Sequence, residues 1–153
     1  MDFEFTTLAL TVGGRTRKEL TTALTQYGIT ADANAQQLLQ RMPVYPERPY
    51  AVRIGVIPAS ALGFTGPVAL SPLLQAAQHA GLKLVPLAVA VELRLQWRKQ
   101  PAGRVFVASP ALGSGPRGFC LQNAAGMLTL NGFTASAAPQ WSAATLFAFA
   151  LAV

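Results

Sequence analysis

Two stretches of this chain, residues 54–82 and 118–153, contain no Asp, Glu, Lys or Arg. Uncharged sequence on that scale has to leave water, either into a bilayer or into a protein core. A spanning helix needs about 20 consecutive apolar residues, and Pro, Gly, Gln or Asn interrupts both stretches well before that length. The apolar end, Ala143 to Val153, is short for a span and suits a buried strand. No membrane span is expected, and the two stretches are assigned to a core. With 52% apolar and 12% charged residues, the chain is excluded from the disordered class. Its 153 residues are about one domain. Asp2 and Glu4 behind Met1 are not a leader pattern, so a cytoplasmic protein is expected.

The order of elements reads as α+β, early helices followed by an antiparallel sheet of about five strands, in a single domain over 1–153. Residues 1–43 form a strand and helical unit. Phe3 to Val12 reads as a strand, with Phe3 and Phe5 opposite Glu4, closed by Gly13 and Gly14. Thr16 and Glu19 form a T-x-x-E capping box, Leu20, Leu24 and Tyr27 recur at helical spacing, and Gly28 ends the helix. A second helix is predicted over Ala31 to Met42, capped by Thr30 and stopped by Pro43. Val44 to Pro49, with two prolines, is a connector too short for a domain linker. Residues 50–153 read mainly as antiparallel sheet. Tyr50 to Ile57 alternates as a strand ending at Pro58, and Ser71-Pro72 reads as a cap and first-turn proline for a helix ending at Gly81. Gly118 to Gln122, Met127 to Leu130 and Thr145 to Val153 read as strands, the last central or covered because both its faces are apolar, and Asn131-Gly132 as a tight turn.

The segment 93–109 carries the most specific expectation. Leu93, Leu95 and Trp97 alternate with Arg94, Gln96 and Arg98, and Arg104, Phe106 and Ala108 alternate with Val105 and Val107. Placing Arg98 opposite Arg104 in an antiparallel hairpin makes one face wholly apolar and gathers Arg94, Gln96, Arg98, Arg104 and Phe106 on the other, with Lys99 at the turn.

The middle of the chain also resembles a group of small bacterial proteins with no established activity. The likeness lies in Leu62-Gly63-Phe64, in Ala80-Gly81-Leu82-Lys83-Leu84-Val85-Pro86, in Leu93-Arg94-Leu95-Gln96-Trp97 and in Gln100-Pro101, and it covers Tyr50 to Ser109. It implies a compact bacterial α+β domain and no catalytic residue. Where such proteins often carry acidic residues after the Gln-Pro turn, this chain has Gly103-Arg104.

Charge is placed unevenly. Residues 1–48 balance five basic against five acidic groups, whereas residues 49–153 carry seven basic groups and the single acid Glu92. The net charge of +6 therefore belongs to the later part and favours polyanions or acidic protein surfaces. Arginines fork onto phosphates and an aromatic stacks on a base, so Arg94, Gln96, Arg98, Lys99, Arg104 and Phe106 are the candidate nucleic-acid contacts. The competing reading is a solvated strand face whose arginine stems cover apolar surface, and no RNA-binding signature accompanies the patch.

Other chemistries have little to work with. One cysteine, Cys120, excludes an internal disulfide framework and a multi-cysteine zinc site, and its apolar context predicts a buried inert thiol. His79, near a helix end, reads as a surface or capping residue. Gly113 to Gly118 lacks the spacing of a phosphate loop and reads as a flexible loop. A lone acid after residue 48 argues against two-metal hydrolysis. No catalytic residue, metal or cofactor is assigned. The expected function is non-catalytic binding, to a nucleic-acid backbone through the basic hairpin. The alternatives are a protein-assembly or adaptor subunit, self-associating or part of a larger assembly, and a metal-free ribonuclease-like enzyme using His79.

Overall fold

The computed structural model describes residues 6–44 and 48–151. Strands β1 (Thr6–Val12), β3 (Tyr50–Pro58), β7 (Leu146–Ala150), β4 (Gly103–Val107), β5 (Gly118–Ala124), β6 (Met127–Phe133) and β2 (Thr30–Ala31) hydrogen-bond in that order into one seven-stranded sheet. Helices are α1 (Arg17–Gln26), α2 (Ala33–Arg41), α3 (Leu70–His79) and α4 (Leu87–Gln96), with a short 3-10 turn at Ala59–Leu62. The α+β class stands, but the helices are not all early, since α3 and α4 follow β3, and two details of the expected sheet also differ. The sheet is larger than expected, and it is mixed, because β4 runs parallel to β7 and β2 parallel to β6.

Alternation along the strands sends side chains into two cores. Ile54, Val56, Val105, Val107, Phe119, Leu121, Leu130 and Ala148 join Leu20, Leu24, Leu38 and α4 on one face. The intervening Ile57, Cys120, Phe133, Phe147 and Phe149 join Leu73 and Ala77 of α3, and Trp141, on the other. Both faces of the central strands are covered, so β7 shows no polar alternation, as its sequence predicted for a covered central strand. The chain's apolar second half is consumed in this three-layer arrangement.

The main correction concerns residues 93–97. They are not a strand but the end of helix α4, which Pro86 opens and Trp97 closes. Eight of its ten residues are buried, so apolar groups surround it and no periodicity marks it as helical. Trp97 is buried and Arg98 exposed, as the hairpin required, but for a different reason: Trp97 caps a helix under the sheet. The antiparallel partner of β4 is β5, with Arg104 opposite Gln122 and Phe106 opposite Cys120.

Smaller corrections follow local chemistry. The capping box at Thr16 and Glu19 forms as predicted, each side chain bonding the other's backbone N–H at 3.1 Å. Helix α2 starts later than expected, capped by Asp32, whose Oδ1 accepts from Ala35 N at 2.8 Å, while Thr30 and Ala31 are drawn into the sheet beside β6. Helix α3 begins at Leu70, before Ser71, and has no side-chain cap. Asn131-Gly132 is not a turn but lies inside β6. The β5–β6 turn is Ala125-Gly126, both at positive φ (53° and 86°), as a two-residue hairpin loop of matching twist requires. In the predicted strand at 3–12, Phe3, Glu4 and Phe5 lie outside the described residues, as do the last two residues of the predicted final strand. No helix among the described residues is long and apolar enough to cross a membrane.

Candidate functional site

The six residues expected on one basic face are dispersed by α4. Arg94 is wholly buried. Its Nη1 donates to Gln100 Oε1 at 2.6 Å and lies 3.5 Å from the Gln122 and Thr129 carbonyl oxygens, and its Nη2 donates to Trp97 O at 2.7 Å. Nε has no partner. Burial, with the nearby Arg98 charge adding to it, pulls the guanidinium down to about 10. This cation is held by carbonyls rather than by a carboxylate, and it ties the end of α4 to β5, β6 and the turn after Trp97. It is out of reach of any phosphate. Gln96 is exposed but turned toward β1, donating to Thr11 O and to Glu92 Oε2, both at 2.8 Å. Phe106 packs edge-on against Phe133 and Trp141, ring centroids 5.3 and 5.6 Å away, and so belongs largely to the second core.

Arg98, Lys99 and Arg104 are the candidates left at the surface, the first two in the connection from α4 and the third near the end of the sheet where β4 starts. There β4 begins at Gly103 opposite Asn123, and β5 turns into β6 at Ala125-Gly126. Arg98 stacks its guanidinium 3.8 Å from the centroid of the Tyr27 ring, a geometry that holds a cation in place without neutralising it. Arg104 is exposed on the outer sheet face, in a cross-strand row with Gln122 and Thr129. Beside that row Asn131 Nδ2 donates to Gln122 Oε1 at 2.7 Å. Sequence reasoning missed Gln122, Thr129 and Asn131, because only the β4–β5–β6 pairing places them next to Arg104. Arg104 also overlooks a cleft of ≈ 560 Å³ that Gln100, Phe106 and Trp141 help to line. Gln100 is the connection between that cleft and the buried guanidinium: it accepts from Arg94, and its own Nε2 donates to Leu121 O at 3.0 Å.

The acids explain the sign of this surface. Glu92, the single acid after residue 48, is buried on α4, where Gln96 and, at 3.7 Å, Arg15 Nε meet it. That is the only ion pair among the described residues.

The remaining candidates behave as the blander readings expected. Cys120 is buried, and burial pushes its thiol up to about 12, far from a reactive thiolate. His79 is the exposed last residue of α3. Gly113 to Gly118 is an irregular loop leading into β5, tethered by Arg41 Nη1 donating to Ser114 O at 2.8 Å. Among the described residues no cluster of three or more His, Cys, Asp or Glu could hold a metal ion. No protein-family model matches the chain, and neither a curated protein nor a solved structure matches it.

Proposed function

We propose that this protein works by non-catalytic binding to a nucleic-acid backbone, through the surface cations Arg98, Lys99 and Arg104. The observation that carries the reading is the burial of Glu92. With the only acid of the second part sequestered against Arg15, the exposed cations Arg98, Lys99 and Arg104 form no ion pair among the described residues. Unneutralised surface cations attract polyanions at long range, and each phosphate contact releases counterions. Gln122, Thr129 and Asn131 add neutral hydrogen-bonding groups beside Arg104, suited to phosphate or sugar oxygens. Phe106 is withdrawn from the proposed contacts as a stacking group, and Arg94 as a phosphate ligand.

The test is fluorescence anisotropy with single-stranded RNA, single-stranded DNA and duplex DNA at several salt concentrations, comparing the natural chain with a variant carrying Arg98→Gln, Lys99→Gln and Arg104→Gln. Binding should fall steeply with salt, and the variant should lose about one unit of salt slope per lost phosphate contact. No binding at low salt, or a variant that binds equally well, would overturn the proposal. A protein-assembly reading would then lead, on one observation. Tyr27 and Met127, 55% and 65% exposed, line one shallow depression with Leu128 and Arg98, and a contact made through its apolar groups would depend far less on salt than phosphate binding.

A further inference from the structure

On the opposite side of the molecule from α4, a second cleft of ≈ 780 Å³ opens between α3, the segment after it and the residues around Phe149. Its volume falls in the range of small-molecule sites. Leu74, Leu82 and Phe149 supply an apolar wall, Lys83 and Arg117 are the only charged residues that line it, and no acidic side chain does. Both cations are fixed by backbone pairing. Lys83 exchanges two backbone hydrogen bonds with Ala150, each 2.8 Å, so its Cα is held against the last residue of β7. Arg117 donates its backbone N–H to Phe133 O at 2.7 Å and its Nη1 to Ser109 O. Arg117 is half-buried, and burial lowers its affinity for its proton. A partly desolvated guanidinium with one carbonyl partner and no carboxylate among the described residues has unused donors and an unanswered charge.

The geometry points to a binding site for a small amphiphilic anion, a carboxylate or phosphate monoester head on an apolar body, distinct from the nucleic-acid surface proposed above. Arg117 and Lys83 take the head, for which a guanidinium fork and an ammonium are both competent. Leu74, Leu82 and Phe149 take the body. Gln78, exposed on the α3 side of the cleft, is a neutral donor within the same lining.

Isothermal titration calorimetry with decanoate, decyl phosphate, decanol and inorganic phosphate, each below its micelle concentration where it forms micelles, tests the site. One equivalent of decanoate or decyl phosphate should bind saturably, about tenfold or more tighter than decanol, the factor expected for a charge-assisted head-group contact. Inorganic phosphate, without the apolar body, should bind more weakly than either. Whichever of the two anions binds tighter identifies the head group. Lys83→Gln and Arg117→Gln, with folding checked by near-ultraviolet circular dichroism, should each lose about tenfold in affinity. The triple surface variant used for RNA should bind these anions normally, which separates this site from that one. Decanol binding as tightly as the anions, anion affinity unchanged in both single variants, or no saturable binding would overturn the inference. If Arg117→Gln does not fold, Lys83→Gln alone decides.

Discussion

Cys120 and Arg94 sit on opposite faces of the same sheet, and for both of them burial controls proton affinity. The Cys120 thiol is raised from an ordinary 9.0 to about 12, chiefly by burial among Phe106, Phe133 and Phe147. Because the folded state holds this proton more tightly than the unfolded state, the resulting stabilisation is complete below pH 9 and is lost as pH rises through the folded value near 12. Denaturation followed at a series of alkaline pH values should therefore show Cys120→Ala losing stability less steeply than the natural chain, by up to about 1.4 kcal/mol per pH unit. Identical slopes would mean that the thiol is not buried as described. Arg94 shows the opposite shift, and its cost is met locally by the oxygens of Gln100 and Trp97. Nothing in the sequence distinguishes Arg94 from Arg98, four residues away. In a strand they would share a face, and in a helix ending at Gln96 one of them goes under the sheet while the other lies beyond the last turn.

One helix entrance was readable as written, that of α1, while the entrances of α2 and α3 were misplaced and α4 was not recognised as a helix. The capping box at Thr16 is a reciprocal hydrogen-bond pattern written within four consecutive residues, and it forms where it was expected. Asp32 shows what a local pattern leaves out. Its Oδ1 caps α2 and also accepts the backbone N–H of Gly132 at 3.0 Å, joining the helix entrance to β6 across the chain. That junction is the reason for glycine at 132, since a Cβ there would come within 2.7 Å of Asn34 Cβ and 2.8 Å of the Ala35 backbone nitrogen. Gly126, by contrast, has open space around it and only a positive φ. Gly132→Ala should accordingly cost more than Gly126→Ala, for which about 1 to 2 kcal/mol is expected from the left-handed backbone alone. Urea midpoints would check the order, and equal losses would count against the close approach of α2 to β6. The Asn-Gly pair at 131–132 was read as a turn because the dipeptide favours one, and tertiary contact with α2 overrode that preference.

On the scale of the whole molecule, β7 connects the two halves of the sheet. It pairs antiparallel with β3 on one side and parallel with β4 on the other, so β1–β3 and β4–β5–β6–β2 are joined through it. Phe147 and Phe149 enter one core and Ala148 and Ala150 the other. Trp141, on the segment leading to β7, closes the aromatic cluster over Phe106 and Phe133. A chain truncated after Ala144 should therefore lose its cooperative unfolding transition rather than shed a terminal strand, because both cores lose side chains and the sheet is divided. A sharp thermal transition by circular dichroism in the truncated chain would contradict this role for β7.

Local patterns in the chain were enough for the α+β class, the first strand and helix of the described residues, the strand at Tyr50–Pro58, the covered nature of the last strand and the inert setting of Cys120. Each rests on a short-range signal, an alternation, a cap or an apolar run, whose energetics are complete within a few residues. That residues 87–96 are a helix follows from long-range packing alone. A segment apolar on all sides carries no period, and its Leu-Arg-Leu-Gln-Trp end satisfies the strand template as well as the helix template. The same uncertainty governed the candidate site, because the pairing of β4 with β5 rather than with residues 93–97 is a long-range choice. It was settled by burying Val105, Val107, Phe119 and Leu121 against α4, and it moved Arg94 into the interior while leaving Arg98, Lys99 and Arg104 at the surface.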